Sequence, residues 1–235
     1  MNEFEEAEFD KYVAHYERMR VKSTGFSGFP THYFDEYKIK AIANELPNLV
    51  MEQISILNFG CGTGKSEPFF YKYFKNATIT GIDLSHKSVE YAQAKHHELS
   101  DRISFANYDG KKIDLQTKSD IILVANVFHH IDFDLHKSVL NQLMEQLKIG
   151  GHLFIFEHNP ANPLTRKSVR DCEFDINARL LTPDYTRKIL HKAGFQNLKI
   201  KFTLFFPGLL RLFVPLEKYM SKLPLGAQYY AHAIK

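Results

Sequence analysis

The sequence predicts a doubly wound α/β domain, and three observations carry that expectation. Short runs rich in Ile, Leu, Val and Phe recur at 54–59, 77–82, 102–106, 120–125 and 152–157. They lack polar alternation, as strands covered on both faces do. Stretches with helical spacing lie between most of them, at about 64–75, 85–98 and 134–148. Strand and helix in alternation build a parallel sheet sandwiched by helices. Finally, a glycine-rich turn, N-F-G-C-G-T-G at 58–64, follows the first strand, as phosphate- and nucleoside-binding turns do.

The remaining elements follow in order. Helices are expected at about 3–18 and 32–46, the second ending before Pro47. Gly150-Gly151 reads as a helix stop before the fifth strand. Residues 158–185 read as loop and short helix, punctuated by Pro160, Pro163 and Pro183. A helix at about 182–193 has Thr182 as N-cap and Pro183 at its first position, and Gly194 closes it. Two last strands, at about 196–206 and 226–234, flank an apolar insertion at about 204–225. The division is thus an N-terminal helical cap, 1–50, and a domain at 51–235 carrying that insertion.

Composition narrows the function. The 235 residues are 44% hydrophobic and 24% charged, which excludes disordered and collagen-like chains. Thirty basic against 27 acidic residues leave a net charge of +3, scattered along the chain, and no nucleic-acid partner is expected. Two cysteines, Cys61 and Cys172, make no disulfide framework, and the acidic start MNEFEEAEFDKY resembles no signal peptide, so a cytoplasmic setting is expected. The apolar run 202–216 is interrupted by Pro207, Gly208, Arg211 and Pro215 and is too short to span a bilayer.

The glycine turn has an acidic partner. Asp83 follows Gly60 by 23 positions, near the offset at which a carboxylate grips a ribose diol. Lys65 stands where a dinucleotide fingerprint has its third glycine or alanine, and no P-loop is present. Gly60, Cys61, Gly62, Gly64, Asp83 and its neighbour Leu84 are therefore the candidate contacts to an adenosine-type ligand.

The segments ILNFGCGTGKSEPFF and ITGIDLS resemble the first two motifs of class I S-adenosylmethionine-dependent methyltransferases. The likeness continues through ISFANYDG (103–110), DIILVANVFHHI (120–131), LKIGGHLFIFEHNP (147–160) and LTPDYTRKILHKAGF (181–195), covering roughly 50–206. It implies a Rossmann-like seven-stranded sheet with the last strand antiparallel, S-adenosylmethionine as cofactor and S-adenosylhomocysteine as product. It further implies that Asp109 holds the adenine edge, that Asn126 and Val127 line the cofactor, and that the N-terminal segment closes over it, with Tyr16 as the contact. Two alternatives stay open: a non-catalytic nucleoside-ligand-binding protein of this fold, and an NAD-binding oxidoreductase.

Methyl transfer from an activated donor needs alignment, and a hydroxyl or amine acceptor must also lose a proton. Candidate catalytic groups at the ends of the fourth and fifth strands are His129, His130, Glu157 and His158. No metal is expected, because adjacent histidines on extended backbone point apart. No Asn/Asp-Pro-Pro-aromatic sequence follows the fourth strand, which disfavours planar amino acceptors. The pattern F-E-H-N-P-x-N-P…L-G-A-Q-Y-Y resembles bacterial methyltransferases of surface-polysaccharide and lipid-linked sugar synthesis. It implies an oxygen or aliphatic nitrogen on a small-molecule or lipid-linked acceptor. For the insertion, three covers compete: a substrate pocket, which is favoured, a homodimer interface, or peripheral contact with the inner face of a membrane, with Arg211, Lys218 and Lys222 at the headgroups.

Overall fold

The computed structural model describes Asp10 and residues 15–235, apart from the side chains of Tyr16 and Phe26. The expected helix at 3–18 therefore lies mostly outside the described residues; the first described helix is α1, Tyr16–Thr24.

Seven strands form one sheet in the order β3-β2-β1-β4-β5-β7-β6. They are β1 Ser55–Phe59, β2 Thr78–Asp83, β3 Ile103–Asn107, β4 Ser119–Ala125, β5 Leu147–His158, β6 Gln196–Thr203 and β7 Gln228–Ile234. The strands β1 to β5 pair in parallel, and β7 runs antiparallel to both β5 and β6. The expected doubly wound sheet with an antiparallel last strand is what the chain forms.

Both faces are covered, which is why the strands read as continuous apolar runs. In β1, Ile56 faces one side with Phe70, Phe74 and Val89, while Leu57 and Phe59 face the other with Leu140, Leu143 and Leu190. The first layer holds α2 (Thr31–Glu45), α3 (Glu67–Tyr73) and α4 (His86–Lys95); the second holds α5 (His136–Gln146) and α7 (Pro183–Lys192). Each fully buried Leu, Ile or Phe contributes roughly 1.5–3 kcal/mol of transfer free energy. Ile39 and Ile42 of α2 are fully buried in the first layer, and Glu45 at its end accepts a hydrogen bond from the Tyr230 hydroxyl at 2.8 Å.

Caps set the helix ends. Ser85 Oγ accepts from the Ser88 N–H at 3.1 Å, so Ser85 and not Asp83 is the N-cap of α4. Thr182 caps α7 through the Tyr185 N–H at 3.2 Å. Asn162 caps α6 (Pro163–Arg170) by accepting from Leu164 and Thr165. One expectation is corrected: Gly150-Gly151 does not stop a helix. Helix α5 ends at Gln146, and β5 already starts at Leu147, paired with Ser119. The glycines sit inside an irregular stretch of β5, where the Gly150 N–H donates to Lys235 O at 3.2 Å.

A buried acid lies under the sheet edge. Glu67 is fully buried, and its Oε1 accepts from Asn58 Nδ2 at 2.7 Å while Oε2 has no partner. Burial lifts its pKa from 4.5 to about 7, against the Asn58 hydrogen bond. An acid with a folded pKa above its unfolded one weighs against the fold once ionised: the cost is absent below pH 4.5 and complete above about pH 7. Glu67→Gln keeps the acceptor for Asn58, so it should raise stability at pH 8 by about 3 kcal/mol and leave it unchanged at pH 4. Urea titrations at the two pH values measure this.

Candidate functional site

The carboxyl ends of β1, β2 and β4 open into a cavity of about 430 Å³ that runs under α2 and the segment 204–207. Gly60, Cys61, Gly62, Asp83, Leu84, Asn126 and Val127 all line it, along with Tyr108. Two of these positions show why the local sequence is as it is. Gly60 has φ +75°, and a Cβ there would lie 2.3 Å from Val127 Cγ2, so only glycine lets the β4 end close against the turn. Asn126 carries φ 57° without being glycine, and its Oδ1 is buried without a partner. Backbone held in this region marks sites that the surrounding structure over-determines.

Asp83 joins the turn to the sheet. Its Oδ2 accepts from the Gly62 N–H at 2.7 Å and its Oδ1 from the Ser85 N–H at 2.9 Å. Burial raises its pKa and the two N–H donors oppose that. Asp10, from the N-terminal segment, reaches this edge and accepts from Ser85 Oγ and from the Lys87 N–H.

Two candidate cofactor residues sit elsewhere. Gly64 is off the cavity lining, its carbonyl 2.6 Å from His96 Nε2. Asp109 is exposed and off the lining; its Oδ1 accepts from the Lys111 and Lys112 N–H groups at 2.8 and 2.9 Å, closing a turn. Tyr16 lies outside the described side chains.

The other end of the cavity is polar. His129 and His130 sit on a 3-10 turn, Phe128–His130, not on extended backbone, and their ring centroids are 4.2 Å apart. His130 and His158 line the cavity, while His129, 1% exposed, and Glu157, fully buried, lie behind it. His129 Nδ1 is 2.5 Å from Glu157 Oε2, and Glu157 Oε1 accepts from the Phe128 N–H at 3.0 Å. Asp175 closes the group, with Oδ1 3.3 Å from His130 Nε2 and 3.7 Å from His129 Nε2.

Electrostatics follow from that packing. Burial works against a charged His129, but Glu157 and Asp175 outweigh it and raise its pKa to about 10. Burial lifts both carboxyls, and the histidines pull Glu157 and Asp175 below the usual carboxylate range. His158 is pushed down to about 4 by burial and by the His129 charge. Lys38, buried on α2 and lining the same end, donates to Phe34 O at 3.1 Å, and burial lowers its pKa to about 8.

Asp175 and Lys38 were not singled out from the sequence. Asp175 is one of several acids in the loop segment 171–175, and Lys38 reads as an ordinary helix lysine; only tertiary contact selects them.

Segment 204–225 closes the cavity in part. Leu204, Phe205, Phe206 and Pro207 line it. Glu217 Oε1 accepts from the Phe205 and Phe206 N–H groups at 2.8 and 3.2 Å, and its Oε2 accepts from the Tyr37 hydroxyl at 2.9 Å. Gly208 lies on Gly28, where an added Cβ would stand 2.4 Å from Gly28 O. Among the described residues nothing covers Leu209, 93% exposed, or Leu212, 86% exposed.

A parallel α/β sheet with one antiparallel strand, a glycine turn after β1, an acid at the end of β2 and a cavity across the strand ends define the Rossmann-like methyltransferase fold. Residues 56–151 match the methyltransferase-domain family. Among relatives, a malonyl-[acyl-carrier protein] O-methyltransferase of Priestia megaterium is 34% identical over 52% of this chain and 44% of its own length. A trans-aconitate 2-methyltransferase of Agrobacterium fabrum is 29% identical over 52% of this chain and 46% of its own length. The matches thus span less than half of these relatives. Among solved structures, a SAM-dependent methyltransferase of Thermotoga maritima superposes with a TM-score of 0.66 at 20% identity, covering 97% of both chains. Phosphoethanolamine N-methyltransferase 2 of Haemonchus contortus, in complex with S-adenosyl-L-methionine, does so with a TM-score of 0.65 at 16% identity, covering 97% of this chain and 60% of that one. At these identities the structures speak for the fold alone.

Proposed function

We propose that the protein is an S-adenosylmethionine-dependent methyltransferase for an oxygen, or an aliphatic nitrogen, of a small polar head group, with a sugar or lipid-linked precursor as the class of acceptor. One observation carries this reading: a single cavity has a nucleoside-type wall at one end and a polar floor of His130, His158, Asp175 and Lys38 at the other. The first wall suits the cofactor. Asp83 offers carboxylate oxygens to a ribose diol, the Gly60–Gly62 turn admits close backbone approach, and the unpartnered Asn126 Oδ1 offers an acceptor to a donor on the ligand. Bound there, S-adenosylmethionine supplies a methyl group already activated for displacement. The chain's residues then have alignment and solvent exclusion to provide. His130 and Asp175 orient the acceptor oxygen, Glu157 and His129 hold that floor in place, and Phe205 and Phe206 roof it.

The exposed apolar stretch beside the mouth supports an amphiphilic acceptor. Leu209, Leu212, Phe213 and Leu216 stand outward on a segment that also carries Arg211, Lys218 and Lys222, an arrangement suited to peripheral contact with an anionic membrane surface. No described helix is long and apolar enough to cross a membrane.

Incubation with methyl-labelled S-adenosylmethionine and separated aqueous, lipid and nucleic-acid fractions of a bacterial extract tests the proposal. Label is expected in a lipid-linked or small polar product. Label mainly in RNA or DNA, or none in any fraction while S-adenosylhomocysteine binds, overturns it. His130→Ala should lower turnover at least tenfold with S-adenosylhomocysteine affinity kept.

A further inference from the structure

We infer that His129, His130 and Asp175 form a binding site for a divalent transition-metal ion at the floor of the acceptor cavity. The inference departs from the expectation of no metal, whose reason was an extended backbone separating the two histidines. The 3-10 turn removes that reason by bringing both rings to one side.

The donor set is defined by geometry. His129, His130 and Asp175 each present one ligand atom, and the three lie within 4.8 Å of one another. Asp175 Oδ1 is 3.3 Å from His130 Nε2 and 3.7 Å from His129 Nε2. Donors held at about 2.0–2.2 Å from one ion take separations of roughly 3–4 Å, so little movement is needed.

A second observation points independently to a ligand. His129 Nε2 is buried without a hydrogen-bond partner, although the residue is only 1% exposed. Its other nitrogen, Nδ1, is fixed on Glu157, and Glu157 is itself held by the Phe128 N–H. A carboxylate behind a histidine whose outer nitrogen faces an open position is the support that metal-ligating histidines have.

The chemistry of the donors selects the ion. Two imidazoles and one carboxylate favour Zn²⁺, Fe²⁺ or Co²⁺ over Mg²⁺ and Ca²⁺, which prefer oxygen. Three protein ligands leave coordination positions open, and His130 and Asp175 face the cavity. Those positions would take an oxygen of the acceptor, a role that rests on the methyltransferase reading; the ion site itself does not.

Untagged protein is titrated with Co²⁺, followed by visible absorption, and Zn²⁺ is then added as competitor. One saturable Co²⁺ per chain, displaced by Zn²⁺, is expected. His130→Ala and Asp175→Asn should each weaken Co²⁺ at least tenfold while melting cooperatively. Absence of saturable binding, or binding unchanged in both variants, overturns the site. So does binding lost only in His152→Ala, since His152 and His232, 3.0 Å apart, form a separate pair at the far end of the sheet. S-adenosylhomocysteine calorimetry on the same samples keeps failure of the ion site distinct from failure of the methyltransferase reading.

Discussion

Replacing Asp83 by Ala is expected to lower the affinity for S-adenosylhomocysteine more than tenfold, measured by calorimetry. Two ribose hydroxyls lose a charged acceptor, and each such bond is worth about 1.5–3 kcal/mol. A second loss accompanies the first. The Gly62 and Ser85 N–H groups, now bonded to the carboxylate at 2.7 and 2.9 Å, lose their acceptor, and the glycine turn loosens. Asp83→Asn separates the two contributions, since its one oxygen keeps an acceptor while the charge is gone; its affinity should fall between the parent and the alanine variant. Unchanged affinity in Asp83→Ala would remove Asp83 from the cofactor site.

Deletion of residues 207–222 is expected to abolish methyl transfer while cofactor affinity changes less than threefold. The stretch Gly208–Leu216 buries none of its residues, so the sheet loses little core. The eight residues 204–206 and 223–227 remain to join β6 to β7, longer than the roughly 2–5 of a tight hairpin and enough to connect two antiparallel neighbours. What disappears is Glu217, whose carboxylate accepts from the Phe205 and Phe206 N–H groups at the cavity lining and from the Tyr37 hydroxyl. Activity kept in the deletion would leave the insertion without a part in the reaction, and activity kept together with a drop from dimer to monomer would assign it to an interface. Loss of cooperative melting would make it a structural element after all.

How much of this was legible in the sequence depends on what each residue needed from its neighbours. The strands were legible because burial on both faces writes itself as unbroken apolar runs, as in β4, where Ile121 to Val124 are all fully buried. Thr182, Pro183 and Gly194 were legible because a cap acts within a few residues of itself. Gly150-Gly151 was misread for the same reason inverted: pairing of Leu147 with Ser119, distant in sequence, drew the strand start forward of the glycines. At the site, the cavity-lining glycines and Asp83 follow from spacing along one strand–helix–strand unit. Asp175 and Lys38 do not, because they arrive from a loop and from α2. Nor could sequence tell that His129 would lie behind the cavity and His130 on its wall, since one turn of 3-10 geometry decides it.

The contact of Gly28 with Gly208 has a consequence for admission. Ser27 and Phe29 on one side and Pro207 on the other border the cavity, so this contact forms part of its rim. It is made by main chain against main chain, with no side chain on either glycine to swing aside. No rotamer change can part that contact, so a bulkier guest passes between the two glycines only if the lead-in to α2 and the insertion move apart as whole segments.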